Sequence, residues 1–301
     1  MFSKFFTKKK NILIKGNKKT KKNISHIVKI VMYKKYLNLG DDDATNNKKK
    51  QKKLCKCLDY KVKDSNSKLG NKDVELSKCN KKTVNGSDFC EEHQNCMGFL
   101  RKSLSGYEMP YKPKKWAHPY IEGSHNCYAY FLNDKSDSIQ IKCKELCLQN
   151  NKKGCPKKID ECQDLIPQPG DHYLLNKYGN LKKKERKYTC PNMHNKILSD
   201  NPNIKPVPFL KQCPRKHYKG AMVVDRGNTF HFYRQNKDGT WSHKPGVLPV
   251  TNKDASGKKI YVPHFADRDY SDRPRDNPIS YNDFCGYYCL PLDSYIETNM
   301  V

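Results

Sequence analysis

A cysteine thiol entering a helix and an imidazole set in a strand are the two groups that could do chemistry together in this chain. Cys127 follows Gly123-Ser-His-Asn126 and leads into Tyr-Ala-Tyr-Phe-Leu132. Asn126 is a good N-cap and the residues after it have helical apolar spacing, so Cys127 is expected in the first turn of a helix near 126–134. A helix N-terminus and a nearby imidazolium both favour the thiolate, which is the attacking form of the group. His231 is the expected base, set between aromatic neighbours in Thr229-Phe-His-Phe-Tyr-Arg234. Period two also lets that histidine lie on an exposed face. The orienting residue depends on the next turn. If Lys237-Asp238-Gly239 is a three-residue loop with Gly239 left-handed, Tyr233 pairs with His243, and His243 shares the face of His231. A two-residue turn would put Ser242 there instead. His243 is the expected third member. Tyr120 is a candidate oxyanion donor beside the backbone N–H groups of the helix.

A second constellation lies in 54–97, which carries Cys55, Cys57, Cys79, Cys90, His93 and Cys96. The segment is short and polar, so thiolate and imidazole ligands without an apolar core suggest a structural zinc site. Cys57, Cys79, Cys90 and His93 are the expected ligands, with Cys55 and Cys96 as substitutes. Asn85-Gly86 marks a turn between the two halves. A further Cys-x3-His spacing recurs at Cys190/His194 and Cys213/His217. Cys143, Cys147, Cys155 and Cys162 follow no metal pattern, and Cys285 and Cys289 read as strand core.

The elements that must position these groups come from the wider pattern. Lys and Arg total 59 against 31 Asp and Glu, for a formal charge of +28. Residues 1–53 alone hold 17 Lys against three Asp. They read as a disordered tail with one short helix near 25–38, either a solvated extension or an electrostatic tether to nucleic acid or an acidic surface. No stretch reaches the roughly 18 apolar residues of a membrane span. From 106 to 301 one globular domain is expected, with a Lys- and Cys-rich insertion at 141–215 and a further short helix near 193–201. Strands are predicted at 220–225, 229–234, 240–243, 259–262 and 284–290, joined by short turns. The fold class is therefore α+β: a helix packed on an antiparallel sheet.

A cysteine entering a helix, followed by a meander with histidine on one strand and a polar group on the next, resembles the NlpC/P60 superfamily of papain-like thiol hydrolases. The resemblance covers about 115–292. It implies Cys127 as nucleophile, His231 as base and His243 as orienting residue. It also implies hydrolysis of an amide or ester in a peptide-like or acyl substrate, with no cofactor for catalysis. His231–Gly246, HFYRQNKDGTWSHKPG, also resembles a block in uncharacterised proteins of large DNA viruses, and the Lys/Asn bias suits a giant amoebal virus. Asn126 stands where the superfamily usually has Asp. The alternative is an inactive, zinc-containing nucleic-acid-binding or virion structural protein. Fourteen cysteines without a secretory apolar segment point to a reducing compartment, host cytoplasm or virion.

Overall fold

Short turns tie the C-terminal half into a sheet, and glycines set the geometry of its central hairpins. In the computed structural model, strands β4 (His217–Asp225) and β5 (Thr229–Gln235) pair antiparallel. A three-residue loop with Gly239 at φ +89° returns the chain into β6 (Trp241–Ser242). The Asn236 N–H donates to the Thr240 carbonyl at 2.8 Å, and Arg234 pairs with Ser242. β3 (Lys205–Val207) and β7 (Asp283–Pro291) complete five strands in the order β3-β7-β4-β5-β6. The last strand thus inserts between β3 and β4 rather than extending a simple meander. Residues 259–262, expected as a strand, run beside β6 with only an isolated bridge from Lys259 to Lys253.

The structure describes residues 53–62, 74–150, 160–170, 188–272 and 278–295. The expected basic tail, its short helix and Cys155 lie outside the described residues. The described residues belong to one compact unit spanning 52–301.

Two layers cover the sheet. Helix α3 (Cys127–Leu132) is buried at all six residues, as a helix apolar all round must be. Asn126 caps it, its Oδ1 accepting from the N–H groups of Tyr128 and Ala129 at 3.0 and 3.2 Å. Asn133 closes it in the left-handed region, at φ 55°. Phe131 presses so close to β4 that a Cβ at Gly220 would lie 2.3 Å from its ring, so only glycine fits there. Helix α5 (Cys190–Asp200) covers the same face through Met193 and Ile197. Two further helices lie on either side of α3 in the chain, α2 (Pro119–Ser124) before it and α4 (Asp137–Asn150) after it.

On the opposite face, Ala221, Val223, Tyr233, Trp241 and Tyr287 share a core with Cys55, Cys57, Leu58, Cys79, Cys90, Cys96 and Leu100. The hairpin β1 (Leu58–Val62) and β2 (Val74–Lys78), with helix α1 (Cys96–Arg101), therefore packs on the sheet. The 54–97 segment has no core of its own and borrows that of the 106–301 region.

Helix α4 falls in the expected irregular insertion. It shows little amphipathic pattern, and a cross-link ties it down: Cys143 is bonded to Cys162 in the following 3-10 turn. Three further disulfides join Cys57–Cys96, Cys190–Cys285 and Cys213–Cys289. The recurring Cys-x3-His spacing at Cys190/His194 and Cys213/His217 makes no metal site, because both thiols are spent on β7. Four disulfides among the described residues also overturn the expected reducing compartment and indicate an oxidising one.

Candidate metal centre

Four ligand-bearing residues converge where the β1–β2 hairpin meets a single 3-10 turn. The Cys55 N–H donates to the Lys81 carbonyl at 2.8 Å, which sets Cys55 beside Cys79 at the end of β2. The turn Glu91–His93 follows Cys90 and swings His93 back, so that Nδ1 lies 3.3 Å from Cys90 Sγ and 3.5 Å from Cys55 Sγ. Cys79 Sγ lies 3.9 Å from Cys90 Sγ. All four ligand atoms fall within 4.8 Å of one another. A tetrahedron built on zinc–sulfur bonds of about 2.3 Å and zinc–nitrogen bonds of about 2.0 Å has edges of roughly 3.8 and 3.5 Å. The donor set and its spacing fit a divalent metal of that kind.

The expected ligand set changes by one member. Cys57 is bonded to Cys96, and Cys55 takes its place. Both cysteines lie on the same side of an extended segment, so sequence spacing does not separate them. The difference comes from α1, which brings Cys96 to Cys57. A supporting contact has no counterpart in the sequence reading: Asp59 Oδ1 lies 3.3 Å from His93 Nε2. A carboxylate on the far nitrogen directs the lone pair of Nδ1 toward the thiols. The signal was legible only as an acid two residues after Cys57.

The thiol and imidazoles of the expected hydrolytic site are not all brought together. His231 Nε2 and His243 Nδ1 lie 2.7 Å apart, and His243 Nε2 lies 2.9 Å from the Lys253 carbonyl. The carbonyl requires the proton of His243 on Nε2, so Nδ1 accepts from His231. Burial, and secondarily His243, hold the His231 pKa well below the usual histidine range.

Cys127 is on the other side of the sheet. It packs with Phe230 and Phe232, the two neighbours of His231 in β5. His231 and Tyr233 point the opposite way, their rings 5.2 Å apart. Cys127 is 4% exposed, and burial pushes its pKa up to about 12. The cap works as expected, but desolvation outweighs the helix terminus.

Ser242 faces α3, its hydroxyl 2.7 Å from the Tyr130 hydroxyl and donating to Asn236 Oδ1 at 2.6 Å. Tyr120 packs near Cys143, Cys147 and Cys162, away from the imidazole pair. Lys244, which also feels the Glu122 carboxylate, is the charged group nearest in effect to Cys127. The buried Lys244 ammonium donates to the carbonyls of Glu122 and Gly246 at 2.8 and 2.7 Å, and burial pulls its pKa down to about 7. His125 leaves Nε2 unpartnered, and burial followed by Lys244 lowers its pKa to about 4.

Comparison with known proteins adds one partial likeness. No family model matches the chain, and no solved structure matches it. The chain is 49% identical over 53 residues to insoluble matrix shell protein 1 of Ruditapes philippinarum. That match covers 17% of this chain and 36% of the relative, so the chain spans about a third of the relative's length. No helix among the described residues is long and apolar enough to cross a membrane.

Proposed function

We propose that this chain is a non-catalytic binding protein, a zinc-knotted and disulfide-stapled scaffold that adheres to acidic partners in an oxidising setting. The observation that carries the reading is the Cys3His cluster. Four disulfides form among the described residues, yet the three neighbouring thiols of Cys55, Cys79 and Cys90 remain unpaired. Thiols that close would couple under oxidising conditions unless a metal held them as thiolates. Four protein ligands leave no open position for substrate, which suits a structural ion. Bound there, zinc would clamp the β1–β2 hairpin to the Cys90 turn. The formal charge of +28 supplies the attraction to acidic partners. The partial likeness to a matrix shell protein is consistent with a structural role.

The thiol-hydrolase reading implied by the NlpC/P60 resemblance is disfavoured by position. A base must reach its nucleophile at about 2.6–3.2 Å, and here a sheet lies between them.

The test is metal content. The full chain, expressed with zinc and purified without chelator or reductant, should carry one zinc per molecule by elemental analysis. Cys79→Ser should lose it. A folded wild-type chain that carries no metal would overturn the proposal.

A further inference from the structure

Two loops distant in sequence lie side by side at the end of the sheet where β4 begins and β5 turns into β6, and together they make a cationic surface. Arg101 and Lys102 end α1, while Lys211, Arg215 and Lys216 lie on the loop that leads into β4; all five are exposed. The loops are tied to each other from below. The fully buried Lys219 ammonium donates to the carbonyls of Ser103, Phe209 and Lys211 at 3.4, 2.5 and 2.7 Å. The Gln212 side chain donates to the Lys102 carbonyl at 2.9 Å, and the Cys213–Cys289 disulfide anchors the second loop to β7.

The two segments carry no opposing charge of their own, and the exposed Asp238 carboxylate beside Arg101 is engaged by the Thr240 N–H and hydroxyl, with the Lys259 ammonium 4.0 Å away. Residues 94–107 and 205–224 contain no acidic residue. Glu108, between them in space, is buried and occupied by the backbone N–H groups of Ser105 and Gly106 and the Ser105 hydroxyl. Among the described residues both arginines are anchored through Nε alone, Arg101 on the Asp238 carbonyl at 3.2 Å and Arg215 on the Tyr107 hydroxyl at 3.2 Å. Each guanidinium therefore keeps its η nitrogens for a bidentate oxyanion.

We infer that this surface binds a sulfated polysaccharide, an inference that rests on the reading of the chain as an adhesive cationic protein. The guanidinium forks suit sulfate oxygens, and the lysines add point charges along a flexible chain. A peptide partner would seek main-chain pairing, but the two edge strands of the sheet, β3 and β6, are three and two residues long, and β3 carries Pro206, which has no N–H to offer. A single-stranded nucleic acid would seek aromatic stacking faces, and the one tyrosine at the patch, Tyr107, is half-buried with its hydroxyl taken up by Arg215.

The test uses the full chain and heparin as probe at about 150 mM salt. One variant carries Arg101→Gln, Lys102→Gln, Arg215→Gln and Lys216→Gln. A control removes the same charge elsewhere, through Lys142→Gln, Lys144→Gln, Lys253→Gln and Lys258→Gln. The patch variant should bind heparin at least tenfold more weakly, with a shallower salt dependence, while the control stays within about twofold. Heparin should also displace bound chain better than poly-glutamate or oligo-dT of equal charge. Equal losses in both variants, or a loss in neither, would overturn the assignment of the surface. Displacement by poly-glutamate or oligo-dT as effective as by heparin would overturn the assignment of the partner. A wild-type chain that binds none of the three would remove the adhesive reading as well.

Discussion

The reactivity of Cys127 separates a structural thiol from a nucleophile. With its pKa pushed up to about 12, the thiolate fraction at pH 8 is about 10⁻⁴, against roughly 0.1 for a thiol at the ordinary 9.0. Alkylation of the folded chain should therefore be about a thousandfold slower at Cys127 than in the unfolded chain, before any loss of access is counted. The assay treats the metal-loaded chain with iodoacetamide at pH 8 and maps the modified peptides by mass spectrometry, with a urea-unfolded sample as reference. Disulfide-bonded cysteines serve as internal blanks. Labelling of native Cys127 within tenfold of its unfolded rate, or labelling that persists at pH 6, would refute the argument. The same shift has a stability consequence. The folded pKa is raised, so the contribution is complete below pH 9 and is lost as pH rises toward 12. The unfolded chain releases the proton first, at a cost of about 1.4 kcal/mol per pH unit. Wild type should lose about 1 kcal/mol relative to Cys127→Ala between pH 9 and pH 10, measured by urea denaturation.

Four other outcomes follow from the geometry. Asp59→Asn should weaken zinc binding by about 10–100-fold in chelator competition while leaving the fold intact, because it removes the carboxylate that orients His93. His125 has its pKa lowered to about 4, so its contribution is present above pH 6.5 and is lost as pH falls through 4; the loss should total about 3 kcal/mol, and His125→Gln should flatten that part of the acid denaturation profile. The Cys213→Ala, Cys289→Ala pair opens a loop closed over 76 residues, and denaturant titration should find about 4 kcal/mol lost. Lys219→Met leaves carbonyls of two loops without their donor, and the midpoint of urea unfolding should fall by the equivalent of about 2–3 kcal/mol.

Local chemistry made much of this protein legible from its residues. Asn126 before an apolar run specifies a capped helix, because the side-chain oxygen answers N–H groups that no carbonyl can reach. Lys237-Asp238-Gly239 specifies the hairpin, because glycine alone enters the left-handed region at no cost, and that register puts His243 beside His231. Cys90-x2-His93 likewise places two ligands on one turn. The pairing of Cys190 with Cys285 and of Cys213 with Cys289 was not legible, since bonds across 95 and 76 residues depend on where β7 enters the sheet. Nor was the choice between Cys55 and Cys57, which α1 decides by bringing up Cys96.

The position of the helix relative to the imidazoles is the clearest case. Alternation along β5 dictates that His231 and Phe232 face opposite ways, but it does not say which face receives α3. Tertiary packing decided that, seating Phe131 against Gly220 and Phe232 and leaving the histidines to the cysteine-rich layer. Residue order sets the two sides of a strand; only the burial of one whole apolar surface against another selects which side each layer covers.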